Sequence, residues 1–200
     1  MKEAIIIFQK KPELGRVKTR LAKTIGEPKA LETYRWLLEH THQQVAQVGC
    51  EVFVYFEKEI DRGFIKNNRY FAALQSGGDL GLKMKTALEE VLAKGYQGAI
   101  VIGSDCPGLD HRILKQALDH LLSYELVIGP ARDGGYYLIG MRTVYHTLFQ
   151  DMPWSSSEVF SNTIDEARRL GLKIALLQEL ADVDVYEDLD ENLKNRLGIR

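Results

Sequence analysis

The apolar run at residues 99–102 limits what this chain can fold into more than any other feature. It contains three β-branched residues and lies between Gly98 and Gly103. This pattern predicts a strand buried on both faces, as at the centre of a parallel sheet. Asp105 follows, so a carboxylate is expected at the carboxyl end of a central strand, where open α/β sheets bind their ligands. Alternatively, Asp105 only stabilises the turn by accepting hydrogen bonds from nearby N–H groups.

Other short apolar runs, and the helical periodicity between them, predict an alternating α/β chain. The further predicted strands are residues 4–8, 51–56, 71–75, 125–129, 136–140 and 172–177. The predicted helices cover residues 28–48, the segment between Asp79 and Gly95, the segment after Asp110, residues 157–170 and the residues after 189. Ser155 and Glu158 have the spacing of a capping box for the fourth of these helices.

The composition indicates one globular domain, covering residues 1–200. Hydrophobic residues make up 45% of the chain and charged residues 27%, as is ordinary for a globular protein. The net charge of −2 gives no reason to expect a nucleic acid as a partner. The apolar runs are far shorter than the ~20 residues of a membrane span, and a strand begins close to Met1, which predicts no signal peptide. Cys50 and Cys106 fit a reducing compartment, so we expect a cytoplasmic protein.

A basic loop is predicted directly after the first strand, over residues 9–20. It contains five cations, and Pro12 and Gly15 disfavour a helix. In α/β nucleotide-binding proteins, backbone N–H groups and cations at this position converge on phosphates. A solvated charged loop is the alternative interpretation. The segment is not a P-loop, because Pro12 and Val17 stand where that motif requires glycine.

Two glycine-containing turns also carry acids. In the turn at residues 77–81, Asp79 either caps the next helix or contacts a ligand. Lys83 lies in the first turns of that helix, where a cation opposes the helix dipole unless an anion is nearby. Asp133 precedes Gly134 and Gly135, so this turn is either a plain hairpin or a close approach of backbone to a ligand.

The last acidic segment and the histidines complete the set of polar candidates. Asp182 and Asp184 alternate, so one of them can face inward while the other faces water. Asp188 is expected at the start of the final helix. His40 and His42 are two residues apart on a predicted helix, so they cannot share a metal and are expected on the surface.

Together, the acidic and basic candidates suit the binding of a divalent cation and a diphosphate. Carboxylates with open coordination suit Mg²⁺ or Mn²⁺, and such an ion also binds substrate phosphates. The ion would neutralise a diphosphate while Arg16, Lys18 and Arg20 hold its oxygens. Transfer from a nucleoside diphosphate sugar and attack on a nucleoside triphosphate make the same demand.

The motifs together resemble the DUF2064 group of GT-A-like proteins, within the nucleotide-diphospho-sugar transferase superfamily. The matching blocks are residues 11–21, 78–81, 102–107, 129–140 and 182–189. The resemblance implies a three-layer α/β/α fold with a mixed, mainly parallel sheet. It implies an enzyme that transfers a sugar from a nucleotide sugar to a small-molecule acceptor. The alternatives are a guanylyltransferase-like nucleotidyltransferase, which releases pyrophosphate from a nucleoside triphosphate, and a non-catalytic nucleotide-binding module.

The resemblance also implies roles for individual residues. Asp105 takes the place of the metal-binding acid, and a second ligand must come from Asp133 or Asp184, of which we take Asp184. Asp133 and Lys18 are then the expected catalytic residues. The residues expected to bind nucleotide and phosphate are Lys10, Gly15, Arg16, Lys18, Thr19, Arg20, Gly78, Asp79 and Lys83.

Overall fold

The computed structural model describes residues 2–199, whose strands and helices alternate along most of the chain. The strands are β1 (Glu3–Gln9), β2 (Glu51–Phe56), β3 (Tyr70–Leu74), β4 (Gly98–Ile102), β5 (Leu126–Pro130), β6 (Tyr136–Met141) and β7 (Ile174–Leu176). The helices are α1 (Thr19–Ile25), α2 (Glu27–Ala46), α3 (Leu80–Leu92), α4 (His111–His120), α5 (Val159–Arg169) and α6 (Glu191–Leu197). Short 3₁₀ turns lie at Arg62–Phe64, His146–Phe149 and Tyr186–Asp188.

Within the described residues, the strands form one seven-stranded sheet in the order β3-β2-β1-β4-β6-β5-β7. Strand β6 pairs antiparallel with both of its neighbours, and the other pairings are parallel. The predicted central strand is confirmed, because β4 lies in the middle of the sheet and each of its residues is buried.

Helices cover both faces of the sheet, which confirms the predicted mixed, mainly parallel α/β/α architecture. Alternate residues of each strand point to opposite faces, so Ile5 and Ile7 belong to one core and Ala4 and Ile6 to the other. The first core is closed by α2 and α4, and the second by α3 and α5. A third cluster packs α1 and α6 on α2 through Leu21, Leu37, Leu193 and Leu197. Among residues 2–199, no helix combines the length and the apolar character needed to cross a bilayer.

Two of the predicted helix starts are confirmed and one is wrong. The side chain of Asp79 accepts from Leu82 N at 2.8 Å, and that of Asp110 caps α4 by accepting from two backbone N–H groups. The predicted capping box of Ser155 and Glu158 does not form. Ser155 has a left-handed backbone with φ 67°, so the chain is still turning there and α5 begins only at Val159.

Two further predictions failed because tertiary packing overrode local pattern. Residues 19–25 form α1 rather than the end of a loop, since Leu21 is fully buried against α2. His42 is not on the surface: it is 3% exposed, and its Nε2 lies 2.7 Å from Oε1 of Gln9, at the end of β1. Burial lowers the pKa of His42 to about 4, so the ring is neutral at physiological pH.

Candidate functional site

The polar candidates gather at the carboxyl edge of the sheet, where β1 and β4 lie side by side. From β1 the chain proceeds outward to β2 and β3, whereas β4 leads into the other half of the sheet. Open α/β sheets bind ligands at such a switch point. Because β1, β4, β5 and β7 share one direction, the loops that follow them leave at the same edge.

Lys18 is the residue that joins these loops. Its side chain is only 6% exposed, and Nζ lies 2.8 Å from Oδ1 of Asp105. The same ammonium group donates a hydrogen bond to the carbonyl of Val183 at 2.6 Å. Lys18 has a left-handed backbone with φ 48°, a strained conformation of the kind that clusters at functional sites. The basic loop therefore meets the turn after β4 and the last acidic segment.

Asp105 is held by its backbone and leaves its carboxylate available. Its carbonyl accepts from Val183 N at 2.9 Å, which fixes the turn against the acidic segment. Its side chain is 46% exposed. Oδ1 is buried, and although it lies close to the Lys18 ammonium it has no aligned hydrogen bond from any described residue. Because Oδ1 is paired with the Lys18 ammonium, Oδ2 is the carboxylate oxygen left to accept a cation or a donor.

Asp182, rather than Asp184, is the acid whose charge interacts with Asp105. Burial raises the pKa of Asp182 to about 7, and the negative charges of Asp105 and Asp133 add to this effect. The Lys18 ammonium and a hydrogen bond with Cys106 act in the opposite direction. Burial raises the pKa of the Cys106 thiol. Sequence reasoning recognised that one acid of the pair turns inward, but alternation alone did not say which.

Asp184 faces the basic loop, and Asp188 does not start the final helix as expected. The carboxylate of Asp184 accepts a hydrogen bond from the Arg20 guanidinium, so it faces a cation of the basic loop. Oδ2 of Asp188 accepts from the backbone N–H groups of Asp184 and Val185, each at 2.8 Å. Asp188 therefore holds the acidic segment in place, and Asp190 is the residue that caps α6.

Asp133 lies in the hairpin between β5 and β6, a geometry that is compatible with both interpretations of this turn. Its Oδ1 accepts from Gly135 N at 2.9 Å, and the residue remains exposed. A cleft of about 270 Å³ lies beside it, lined by Arg20, Arg132, Asp133, Ala181, Asp182, Asp184, Val185, Glu187 and Asp188. Arg132 was missed by the sequence reasoning, although its place directly before Asp133 in the same turn was a usable signal.

The glycine-rich turn at residues 77–81 meets another loop of the same edge. A side chain at Gly81 would lie 2.3 Å from the indole of Trp154, so only glycine allows the ring to pack on the start of α3. The loop at residues 150–158 that carries Trp154 also touches Gly134, where an added Cβ would lie 2.1 Å from the carbonyl oxygen of Ser157. This loop therefore links the α3 start with the turn of Asp133.

The remaining predicted phosphate-binding residues lie around this centre but are less engaged. Arg16 is 67% exposed, with Nε 3.5 Å from Glu13. Lys10 is exposed, and its backbone N–H donates to the Tyr34 hydroxyl at 2.8 Å. Gly15 has a positive φ of 74°. Thr19, Gly78 and Asp79 are exposed, and Lys83 is partly buried in the first turn of α3.

The donor set fits a divalent cation of the kind that relies on its substrate for ligands. Among residues 2–199, no group of three histidine, cysteine or acidic side chains is arranged to hold a metal ion by itself. Mg²⁺ commonly takes only one or two carboxylates and completes its shell with phosphates and water. The half-exposed carboxylate of Asp105 and the neighbouring Asp182 are a pair of this kind.

Comparisons with known proteins agree with this architecture. Residues 39–156 match the family model described as "Uncharacterized protein conserved in bacteria (DUF2064)". No curated protein is detectably similar to the chain in sequence. The crystal structure of a candidate nucleotide-diphospho-sugar transferase from Desulfovibrio desulfuricans G20 is 29% identical, with a TM-score of 0.87 over 97% of this chain and 91% of that one.

Two more distant structures share the fold. The CMP:2-keto-3-deoxy-manno-octonic acid synthetase in complex with CTP is 15% identical, with a TM-score of 0.60 over 100% of this chain and 98% of that one. The 4-diphosphocytidyl-2C-methyl-D-erythritol synthase of Anaerococcus prevotii DSM 20548 is 14% identical, with a TM-score of 0.62 over 94% of both chains.

Proposed function

Since the chain belongs to the DUF2064 family and has the fold of the nucleotide-diphospho-sugar transferases, we propose that it transfers a sugar from a nucleoside diphosphate sugar to a small-molecule acceptor. A divalent cation, Mg²⁺ or Mn²⁺, assists the reaction in this proposal. The main support for the proposal is the contact between Lys18 and Asp105, because this contact brings the basic loop to the acid at the end of β4.

The diphosphate of the donor lies between the basic loop and the acids. Lys18 donates to it from its buried position, and Arg20 approaches from the cleft of Asp133 and Asp182. These cations bind the oxygens on which negative charge grows as the bond to the sugar breaks. The exposed residues Lys10, Gly15, Arg16 and Thr19 contribute from the outer side of this segment.

The nucleoside part of the donor lies against the start of α3. Gly78 and the neighbouring backbone allow close approach, while Asp79 and Lys83 offer an acceptor and a cation. The side chain of Asp79 already caps α3, so its second oxygen is the group available to a ligand. Trp154 adds an apolar wall where it packs on Gly81.

The cation would be held by Asp105 together with Asp182, which stands in the place for which the sequence suggested Asp184. When bound, the cation supplies charge neutralisation of the diphosphate leaving group. Asp133 lies in the same cleft and is exposed, so it is the group we assign to deprotonate the acceptor hydroxyl.

A nucleotidyltransferase is the second candidate. Of the two more distant structures with this fold, one is a synthetase in complex with CTP and the other is a synthase of a diphosphocytidyl product. The same cations and acids would then hold the triphosphate and the leaving pyrophosphate. The two candidates differ in their products: the first releases a nucleoside diphosphate and the second releases pyrophosphate.

Calorimetric titration with nucleotides and nucleotide sugars, with and without Mg²⁺, tests the proposal. We expect Asp105→Asn to weaken Mg²⁺-dependent binding by about 2–3 kcal/mol, roughly 30- to 150-fold, as for other charged contacts. Asp165→Asn is the matched control, because that carboxylate is 74% exposed on α5. Unchanged binding in the Asp105 variant would contradict the proposed site.

Product analysis separates the candidates. Incubation of the bound nucleotide with a panel of hydroxyl and phosphate acceptors should release nucleoside diphosphate if the first candidate is correct. Pyrophosphate release from a triphosphate would favour the second. Binding without turnover of any donor would favour the non-catalytic module.

A further inference from the structure

Strand β3 forms one edge of the sheet, so it has a neighbouring strand on one side only. Val52 N donates to the carbonyl of Arg69 at 2.8 Å, and Gln75 N donates to the carbonyl of Phe56 at 2.9 Å. Odd-numbered residues of this segment therefore direct their N–H and C=O groups to β2, as parallel pairing requires. Of the even-numbered residues, Ala72 and Leu74 present theirs to the outer side, whereas the N–H of Tyr70 already donates to the carbonyl of Asn67 at 3.1 Å.

This edge lacks the devices that proteins use to prevent strand addition. The sequence of β3, YFAAL, contains no charged residue and no proline. Its register with β2 continues without a bulge from Tyr70 to Leu74. Soluble proteins normally protect an edge with lysine, proline, a bulge or a very short strand. The opposite edge, β7, has only three residues.

Apolar side chains are exposed along the same edge. Phe71 is 41% exposed and Leu74 is 51% exposed. Phe71 stacks on Phe53 with ring centroids 5.0 Å apart, so its ring is held in place at the surface. A groove of about 420 Å³ lies between this ring and α3, with Glu90 and Lys94 on its rim.

We propose that β3 binds a second copy of this chain. The two β3 strands pair antiparallel around a two-fold axis at Ala72, and the two sheets join into one continuous sheet. The outward backbone groups of each strand then bond to those of its copy. This inference is independent of the proposed catalytic activity.

The strand is complementary to itself in this register. Ala72 of one copy faces Ala72 of the other. In an antiparallel pair, a residue before this position faces a residue equally far after it, so Phe71 of one copy faces Ala73 of the other. A large ring thus meets a small side chain, which leaves it room to pack across the strands. Arg69 faces the neutral Gln75, so like charges do not meet at the ends of the pair.

The rim of the groove is also compatible with a copy of itself. Glu90, in the last turn of α3, and Lys94, just after that helix, carry opposite charges, so the two-fold axis maps a mixed rim onto a mixed rim. A rim of one sign would repel its copy. An unrelated extended peptide could form the same backbone hydrogen bonds, but its sequence would not necessarily place a small side chain opposite Phe71.

The interface is small, so the binding between the two copies should be weak. Five-residue strands form about four to six hydrogen bonds across such a pair. The area covered falls near or below the ~1,200 Å² that separates standard interfaces from weak, transient ones. We therefore expect dissociation in the micromolar range rather than an obligate dimer.

The pairing leaves the two candidate sites independent. Antiparallel β3 strands direct the carboxyl edges of the two sheets to opposite sides, so no residue of one copy reaches the other site. The oligomeric state can consequently be measured without knowledge of the substrate.

Sedimentation velocity of the full chain, from low micromolar to near-millimolar concentration, tests the proposal. We expect a monomer–dimer equilibrium that Leu74→Lys weakens at least tenfold, since an edge lysine opposes pairing. Leu176→Lys is the matched control, because Leu176 is 53% exposed on the other edge strand and should not affect the dimer. Thermal unfolding of both variants establishes that they are folded.

Hydrogen exchange gives a second readout. The amides of Ala72 and Leu74 should become protected as the protein concentration rises, while amides of β7 should not change. A wild-type chain that stays monomeric throughout would overturn the proposal. So would growth beyond two copies, or a dimer that survives Leu74→Lys and is lost in Leu176→Lys.

Discussion

The raised pKa of Asp182 predicts a pH dependence of stability that one substitution should remove. The difference between an ordinary aspartate pKa of 3.8 and a pKa of about 7 corresponds to at most about 4 kcal/mol. Because the folded state binds the proton more tightly than the unfolded state, this stability is fully present below pH 4. It is lost as the pH rises through about 7, where the folded protein must hold a charged Asp182 beside Asp105 and Asp133.

Urea unfolding of wild type and Asp182→Asn, in metal-free buffer across pH 4 to 8, measures this effect. Asparagine keeps an oxygen that can accept the hydrogen bond from Cys106, so packing is preserved. The variant should gain up to about 4 kcal/mol relative to wild type between the two ends of the range.

Asp184→Asn is the control for this measurement. Asp184 is two residues away and pairs with Arg20, but its side chain is 49% exposed. Its loss should not reproduce the pH-dependent gain. If the difference between wild type and Asp182→Asn were the same at pH 4 and pH 8, Asp182 would not be held among other carboxylates, and its assignment to the cation site would fall.

Two other substitutions test the packing around the site. Gly134 and Gly95 have nearly the same φ, 88° and 89°, but only at Gly134 would a Cβ meet a neighbour, the Ser157 carbonyl. Gly95→Ala should cost about 1–2 kcal/mol from backbone strain, and Gly134→Ala about 1–3 kcal/mol more; equal losses in thermal unfolding would contradict this contact. His42, with its pKa lowered to about 4, should stabilise the fold above pH 6.5 and lose about 3 kcal/mol as the pH falls toward 4. His42→Gln should abolish that loss, and an unchanged acid profile would refute it.

The sequence was sufficient to predict most of the strands and two helix caps, because their signals are local. The unbroken apolar run of β4 indicated a strand that is buried on both faces. Asp79 and Asp110 each stand directly before a segment with the apolar spacing of a helix, and this position indicated two helix starts. The carboxyl-edge location of Asp105 followed from parallel strands alone. These inferences required no knowledge of which distant residues pack together.

The predictions that failed share one physical cause: the structure at these residues depends on tertiary contacts with distant parts of the chain. His42 was expected in water, yet it is buried because Gln9, far away along the chain, supplies its polar partner. Residues 19–25 form a helix because Leu21 packs on α2. Alternation left open which of Asp182 and Asp184 lies beside Asp105, because the answer depends on how the segment packs, and no local pattern contained this information.

The charges of the site explain why the cation belongs to the proposed function. Lys18 is buried and already compensated by Asp105, so it adds little net positive charge to the cleft. Asp133 and Asp182 lie close enough for their charges to interact. A diphosphate that approached these acids alone would be repelled, whereas a divalent ion between them reverses the local field. For this reason the titrations of Asp105→Asn compare binding with and without Mg²⁺: only the part of the affinity that depends on the ion should disappear with the carboxylate.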